Sequence, residues 1–321
     1  MNIVDALIIR SLPRVGDSTL TKVLKFASEN SISTLEELSK IGSLNFPSKS
    51  MPSSLREYLK KQDFTSDRTN IEKNLSSWLT SDIKTIVLGS ENYPKQLLDL
   101  DTPPPFLFCK GNIELLKSTL MIAVVGTRKN TSIGEQITSK TVEAFANFGF
   151  SIVSGLALGI DTIAHYSAIN CNAPTIAVLV DVMNVAPSTN RALADKIVEK
   201  GGLLVAENPP GTQAIPAFFM KRDRIQAGLS TAVFAIETSI DGGTMHAVNA
   251  ALSMKRPVYV PDAKAIKRYT DLKIPALSGT QQLINDKKAE PYTRESYEAI
   301  AIKLKEVANQ ICSSFQNELD L

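Results

Sequence analysis

From Met121 onward, short runs that are apolar at almost every position alternate with longer stretches whose apolar residues recur every three or four positions. The runs at 121–125, 150–154, 174–180, 202–206, 231–236 and 257–260 predict strands. The intervening stretches predict helices near 133–148, 160–170, 189–200, 221–228 and 244–254. A strand without polar alternation is covered on both faces, so the pattern predicts an α/β unit with a parallel, helix-covered sheet. Upstream the pattern changes. Residues 1 to about 75 read as helical, with helices at Val4 to Ser11 and Ser18 to Ser28 flanking the turn Leu12-Pro-Arg-Val-Gly16. That outline suits a helix-hairpin-helix, which aims backbone N–H groups at a phosphate. The glycine pattern is half present, which favours a small helical bundle with an ordinary turn. Residues 45–80 are polar and carry Pro47 and Pro52, predicting a loop, a helix from Ser54 to Gln62 and a connection. Lys84 to Leu88 and Phe106 to Cys109 are further strand candidates, the second after the extended run Pro103-Pro-Pro105. From Arg294, Ile300, Leu304 and Val307 share one face of a closing helix. The expected division is a helical domain over 1–78, a sheet domain over 79–290 and a C-terminal helix over 291–321.

Composition narrows this little. The chain is 43% hydrophobic and 21% charged with formal net charge +2, which argues against a polybasic binder and leaves room for a local basic patch. No window is apolar enough to span a bilayer, so no membrane partner is expected, and Met1-Asn-Ile-Val-Asp5 lacks the basic and apolar regions of a signal peptide. Cys109, Cys171 and Cys312 are odd in number and far apart, as reduced thiols of a cytoplasmic protein are.

Three strand-to-helix junctions carry the candidate chemistry. Gly126-Thr-Arg128 follows the strand at 121–125, Ser154-Gly155 and Gly159 follow the strand at 150–154, and Glu237 to Gly243 follows the strand at 231–236. Backbone amides and helix dipoles converge at such ends, so three loops at one sheet edge would form the site. Arg128 there suits bidentate phosphate contact, against a plain loop salt bridge. Lys221-Arg222-Asp223-Arg224 reads as the start of a helix, where cations oppose the dipole unless an anion is bound; the alternative is a solvated turn. Of Phe218 and Phe219 beside it, one is expected in the core and one can stack on a base. Asp161 and His165 share a helix face, favouring a dipole-complementing Asp paired to His over an acid/base pair. Glu237 suits a ribose contact, a base or a loop-holding role equally. There is no G-x-x-x-x-G-K-[ST], no G-x-G-x-x-G after a strand and no G-x-S-x-G elbow, and neither His165 nor His246 has metal-ligand spacing to a cysteine.

With these motifs in order, the chain resembles the DprA/Smf family (DNA processing protein A). The resemblance rests on Val125-Gly-Thr-Arg128, Ser154-Gly-Leu-Ala-Leu-Gly-Ile-Asp161 with His165, Glu207-Asn-Pro-Pro-Gly211, Phe219 to Ile225, Ala227-Gly-Leu-Ser230 and Gly242 to Ala251, led in by Tyr93-Pro94 and Pro104 to Asn112. It covers about Asn92 to Ile284. It implies an extended Rossmann-like domain beside a helical domain of SAM or helix-hairpin-helix type. It also implies non-enzymatic, sequence-independent binding of single-stranded DNA, protecting it and assisting RecA loading in DNA uptake and recombination. A RecA-type recombinase and a second copy of the chain are the implied partners; no cofactor, metal or catalytic residue is implied. The implied phosphate contacts are Gly126, Thr127, Arg128, Ser154, Gly155, Lys221, Arg222, Arg224, Gly242 and Gly243, with Phe219 as the stacking residue and Asp161, His165 and Glu237 as structural or pocket groups.

The chain departs from the family pattern at Leu158, where an Arg is usual, at Asp223, where an Asn is usual, and at Met220, where a Pro is usual. The stretch after Ile284 is expected to be too short for the winged helix of many members. These departures, with Gly242-Gly243-Thr244 after Glu237, keep a second reading open: a small-nucleotide binder or nucleoside-phosphate-processing enzyme of related fold, in a defence pathway.

Overall fold

In the computed structural model the described residues are 1–41, 51–61, 63–265 and 275–316. The expected loop at 45–50, the end of the helix at Gln62 and the tail beyond Gln316 lie outside them. The chain forms two compact units, Met1–Tyr93 with Asp101–Cys109, and Pro94–Leu100 with Lys110–Leu321. This division differs from the expected boundary near 78, because the strand after the helices belongs with them.

The first unit contains α1 (Ile3–Ser11), α2 (Asp17–Glu29), α3 (Leu35–Lys40), α4 (Ser53–Leu59), α5 (Thr65–Thr80), β1 (Ile83–Val87) and most of β2 (Phe106–Gly111). Asp5 is fully buried and accepts from the Leu35 amide and from Arg68, whose guanidinium also grips Glu36 at 2.7 Å. That grip holds the Glu36 carboxyl down at about 2. Helix α5 buries no residue fully: only Ile71, Leu75 and Trp78 are half-buried apolar residues on one face, a narrow stripe in a polar sequence that reads as a connection.

The second unit is a parallel sheet wrapped by helices. Its elements are β3 (Met121–Val125), α6 (Ser132–Asn147), β4 (Ser151–Ser154), α7 (Ile160–Asn170), β5 (Thr175–Leu179), α8 (Arg191–Glu199), β6 (Leu203–Ala206), α9 (Pro216–Leu229), β7 (Ala232–Ala235), α10 (Thr244–Ser253), β8 (Val258–Pro261), α11 (Ser278–Asn285), β9 (Glu290–Tyr292) and α12 (Tyr297–Gln316). The strand order is β6-β5-β4-β3-β7-β8-β9, every pair parallel. Ile122 and Val124 of β3 pack with Phe145, Phe150 and Phe234 on one face. Ala123 and Val125 pack with Val233, Ala247 and Val248 on the other. Successive residues therefore serve two cores, which is why the strand has no polar position.

Three elements depart from the sequence pattern. Strand β9 is Glu-Pro-Tyr with two exposed residues, and a proline at a sheet end leaves no apolar run to detect. Helix α11 is short and escaped for the same reason. Helix α9 begins at Pro216, five residues before the expected start, with proline at its first position. Lys221 to Arg224 therefore sit beyond the first turn, and the argument from cations at a helix start does not apply to them. Beyond the end of α9, buried Arg256 donates from Nη1 to the carbonyls of Ala227, Gly228 and Ser230 and from Nη2 to Gln96 and Asp99. Among the described residues no helix is long and apolar enough to cross a membrane.

Candidate nucleic-acid interface

The order of the strands reverses at β3. The chain steps outward from β3 through β4, β5 and β6, then returns to place β7 on the other side of β3. The helix after β3 packs on one face of the sheet and the helix after β7 on the other. The two loops diverge, and a crevice opens at the carboxyl ends of the strands. A cleft of about 480 Å³ lies there, walled by the Gly126–Lys129 loop, the start of α7, the middle of α9 and the Thr238–Thr244 loop.

Two glycines let these walls close up. Gly159 has φ +78°, and a Cβ there would run into the Thr127 carbonyl, so the α7 loop presses directly on the β3 loop. Gly155 leaves the space that the Arg222 guanidinium fills. Arg222 is 4% exposed, donates from Nη2 to the Gly155 carbonyl at 2.9 Å and pairs with Asp223 at 2.9 Å. The cleft is thus floored by a fixed cation. Arg128 and Lys129 stand exposed at its mouth, and the Arg128 guanidinium lies 5.8 Å from the centre of the Phe219 ring. Helices α7 and α10 both begin at this cleft with glycine caps and no side-chain cap. The Ile160 amide donates to the Thr127 carbonyl and the Met245 and His246 amides to Gly242 and Gly243, so what the two helix starts bring to the cleft is chiefly the positive ends of their dipoles, which favour an anion.

Of the residues singled out in the sequence, Gly126, Thr127, Arg128, Asp161, Phe219, Arg222, Asp223, Gly242, Gly243 and Thr244 line this cleft. The others do not. Lys221 and Arg224 both turn to the buried Glu207 carboxylate, at 3.1 and 2.7 Å, so two of the three basic side chains of α9 form an internal ion cluster. Ser154 donates to the Val124 carbonyl at 2.7 Å and staples β4 to β3. Gly155 lies beneath Arg222. Neither Phe218 nor Phe219 is a core residue; both are half-buried.

The titratable groups are mostly used up in holding the loops. One Asp161 oxygen accepts from the Gly155 and Ala157 amides, and burial pushes its carboxyl up to about 6 against the pull of Arg222. The expected Asp161–His165 pair does not form: His165 Nδ1 instead meets the Thr175 hydroxyl at 2.8 Å. Glu237 accepts from the Thr131 amide and hydroxyl and so fastens the start of α6. Sequence reasoning missed Lys129, Gln226 and Asn190. Gln226 lies one helical turn past Arg222 on the same face, a spacing that was there to be read. Asn190 donates to the Leu156 carbonyl from a segment 34 positions away and left no local sign.

Burial of His165 has a consequence for acid stability. Its pKa is pushed down to about 3 by burial, then by Arg222. The unfolded chain takes up this proton near pH 6.5, the native one only near 3, so stability present above 6.5 is lost as pH falls toward 3. His165→Gln is expected to lower the denaturation midpoint at pH 7 yet flatten its fall between pH 6.5 and 5, as urea melts at the two pH values will show. An equally steep fall in the variant would refute this.

Comparison with known proteins agrees with this geometry. The pattern of the DNA recombination-mediator protein A family matches residues 84–304. Protein Smf of Borreliella burgdorferi is 36% identical over 180 residues, 56% of this chain and 57% of that protein. DNA processing protein DprA of Bacillus subtilis is 34% identical over 186 residues, 58% of this chain and 62% of that protein. The match thus spans about three fifths of these relatives' length. The structure of DprA from Streptococcus pneumoniae superposes with a TM-score of 0.73 at 25% identity, over 91% of this chain and 95% of that one. A Helicobacter pylori DprA structure, described for its single-stranded DNA binding mode, gives a TM-score of 0.60 at 26% identity, over 69% of this chain and 96% of that one. With the family pattern running unbroken from β1 into α12 and the site at its reversal point, the chain belongs to the DNA recombination-mediator protein A family.

Proposed function

We propose that this chain binds single-stranded DNA in the cleft between the β3 and β7 loops, holding it mainly by its phosphates and without chemical turnover. The observation that carries the reading is the meeting, at one cleft, of two helix starts without side-chain caps, Arg128, Lys129 and buried Arg222, with Phe219 beside Arg128 as a stacking surface. The non-catalytic part is supported by what Asp161, His165 and Glu237 already do: each is committed to holding backbone or a neighbouring hydroxyl. In this reading the chain protects exposed strands in the cytoplasm, acts as a pair of copies, and passes its DNA to a RecA-type recombinase during DNA uptake or recombination.

Fluorescence polarisation with oligothymidine at low and moderate salt tests it. Affinity should fall steeply with salt, and Arg128→Ala should weaken binding and lower the slope of log K against log salt by about one. Binding that is absent or indifferent to salt would sink the proposal. The size of the cleft, that of a small-ligand pocket, favours the second reading of a nucleotide site. Thermal stabilisation by a mononucleotide, with none by oligonucleotides, would establish that instead.

A further inference from the structure

Phosphate accounts for the mouth of the cleft and for Arg222, and not for the rest of its floor. Gln226 lines the cleft and is 2% exposed. Its Nε2 donates to Asp223 Oδ1 at 2.9 Å, which fixes the amide's orientation and leaves Oε1 as an acceptor. That buried oxygen has no hydrogen-bond partner. The Arg222 and Gln226 contacts with Asp223 both end on Oδ1, so Oδ2 adds a second acceptor one helical turn away. A buried acceptor without a donor is costly, and a ligand carrying N–H groups recovers that cost. A phosphodiester offers only acceptors and is repelled by the carboxylate. The part of the floor beside Arg222 therefore calls for a donor-rich, flat group, and Arg128 and Phe219 at the mouth offer flat faces on which a ring can stack.

We infer that the cleft also reads one nucleobase, and that Asp223 and Gln226 make it prefer guanine. Guanine presents N1–H and the N2 amine side by side, two donors for two acceptors. Thymine presents one N3–H between two carbonyls, each of which would face an acceptor. Cytosine and adenine place one amine beside an acceptor nitrogen and fall between. The preference rests on the single-stranded DNA reading above and adds to it: phosphates supply most of the affinity, and one base position is selected.

The test compares a short oligothymidine with the same strand carrying one central guanine, at one salt concentration, for wild type, Asp223→Asn and Gln226→Met, with thermal melts to show each variant folded. For wild type the guanine should tighten binding about tenfold. In each variant the ratio should fall toward one. A ratio of one in wild type with salt-sensitive binding intact overturns the base-reading inference and leaves the DNA-binding reading standing. A ratio that survives in both variants places base selection elsewhere and overturns it too. Failure of wild type to bind either strand overturns the DNA-binding reading itself.

Discussion

Arg256→Met is expected to cost about 3–5 kcal/mol of stability, read as a lower urea midpoint with the transition slope unchanged. The side chain is 4% exposed, and its five hydrogen bonds reach four separate carbonyls and one carboxylate. Two of those carbonyls, Ala227 and Gly228, lie in the last turn of α9, where helical acceptors run short of donors and the dipole is negative; Ala227 also accepts from the Ser230 amide. Methionine fills much of the volume but strips the Gly228, Ser230 and Gln96 carbonyls of this donor. Arg256→Lys keeps the charge without the planar fork, and should recover less than half of the loss. A cost under about 1 kcal/mol for the methionine variant would mean that water replaces the guanidinium at little expense.

Gly155→Ala should damage the site more than any substitution at the cleft mouth. The added methyl falls on the Arg222 guanidinium, so Arg222 must leave and its bond to the Gly155 carbonyl is lost. Overpacking of this kind costs about 1–3 kcal/mol. The displaced cation takes the cleft's floor with it, so oligothymidine affinity should fall more than tenfold. Gly243→Ala provides the contrast in stability. Its backbone is helical and no atom lies within 4 Å of the added methyl, so its melting should shift by under about 0.5 kcal/mol. Equal melting temperatures for the two variants would show that the Gly155 contact is not tight.

The sheet was legible because each of its central strands is wetted on neither side, and five-residue apolar runs such as Met121–Val125 have no other use in a chain of this composition. Helix α5 was not, since its stripe is only three residues, Ile71, Leu75 and Trp78, none fully buried, within a run of Ser, Thr, Asn and charged positions. The cleft was half legible. Loops at strand ends are placed by topology, so Gly126 to Arg128 and Gly242 to Gly243 could be assigned to it from order alone. The basic run was not, because Lys221, Arg222 and Arg224 are equivalent as letters. Their fates are decided by Glu207, far off in sequence, which claims the two flanking Lys221 and Arg224 and leaves Arg222 to the cleft. His165 shows the same limit: a neighbour four positions away was available, yet Thr175 on the adjacent strand holds its ring.

The reversal of strand order at β3 also sets a timetable. A ribosome delivers β3, β4, β5 and β6 first, and these can pair as they emerge. The other flank of β3 waits for β7, since Ile122 pairs with Ala232, and the second wall of the cleft comes later still. A polypeptide halted before β7 would hold half of this sheet with an open apolar edge on β3, an invitation to stick to another such edge, and no cleft. In the proposed reading, competence to bind arrives late in synthesis, and an unfinished copy does not compete with a finished one.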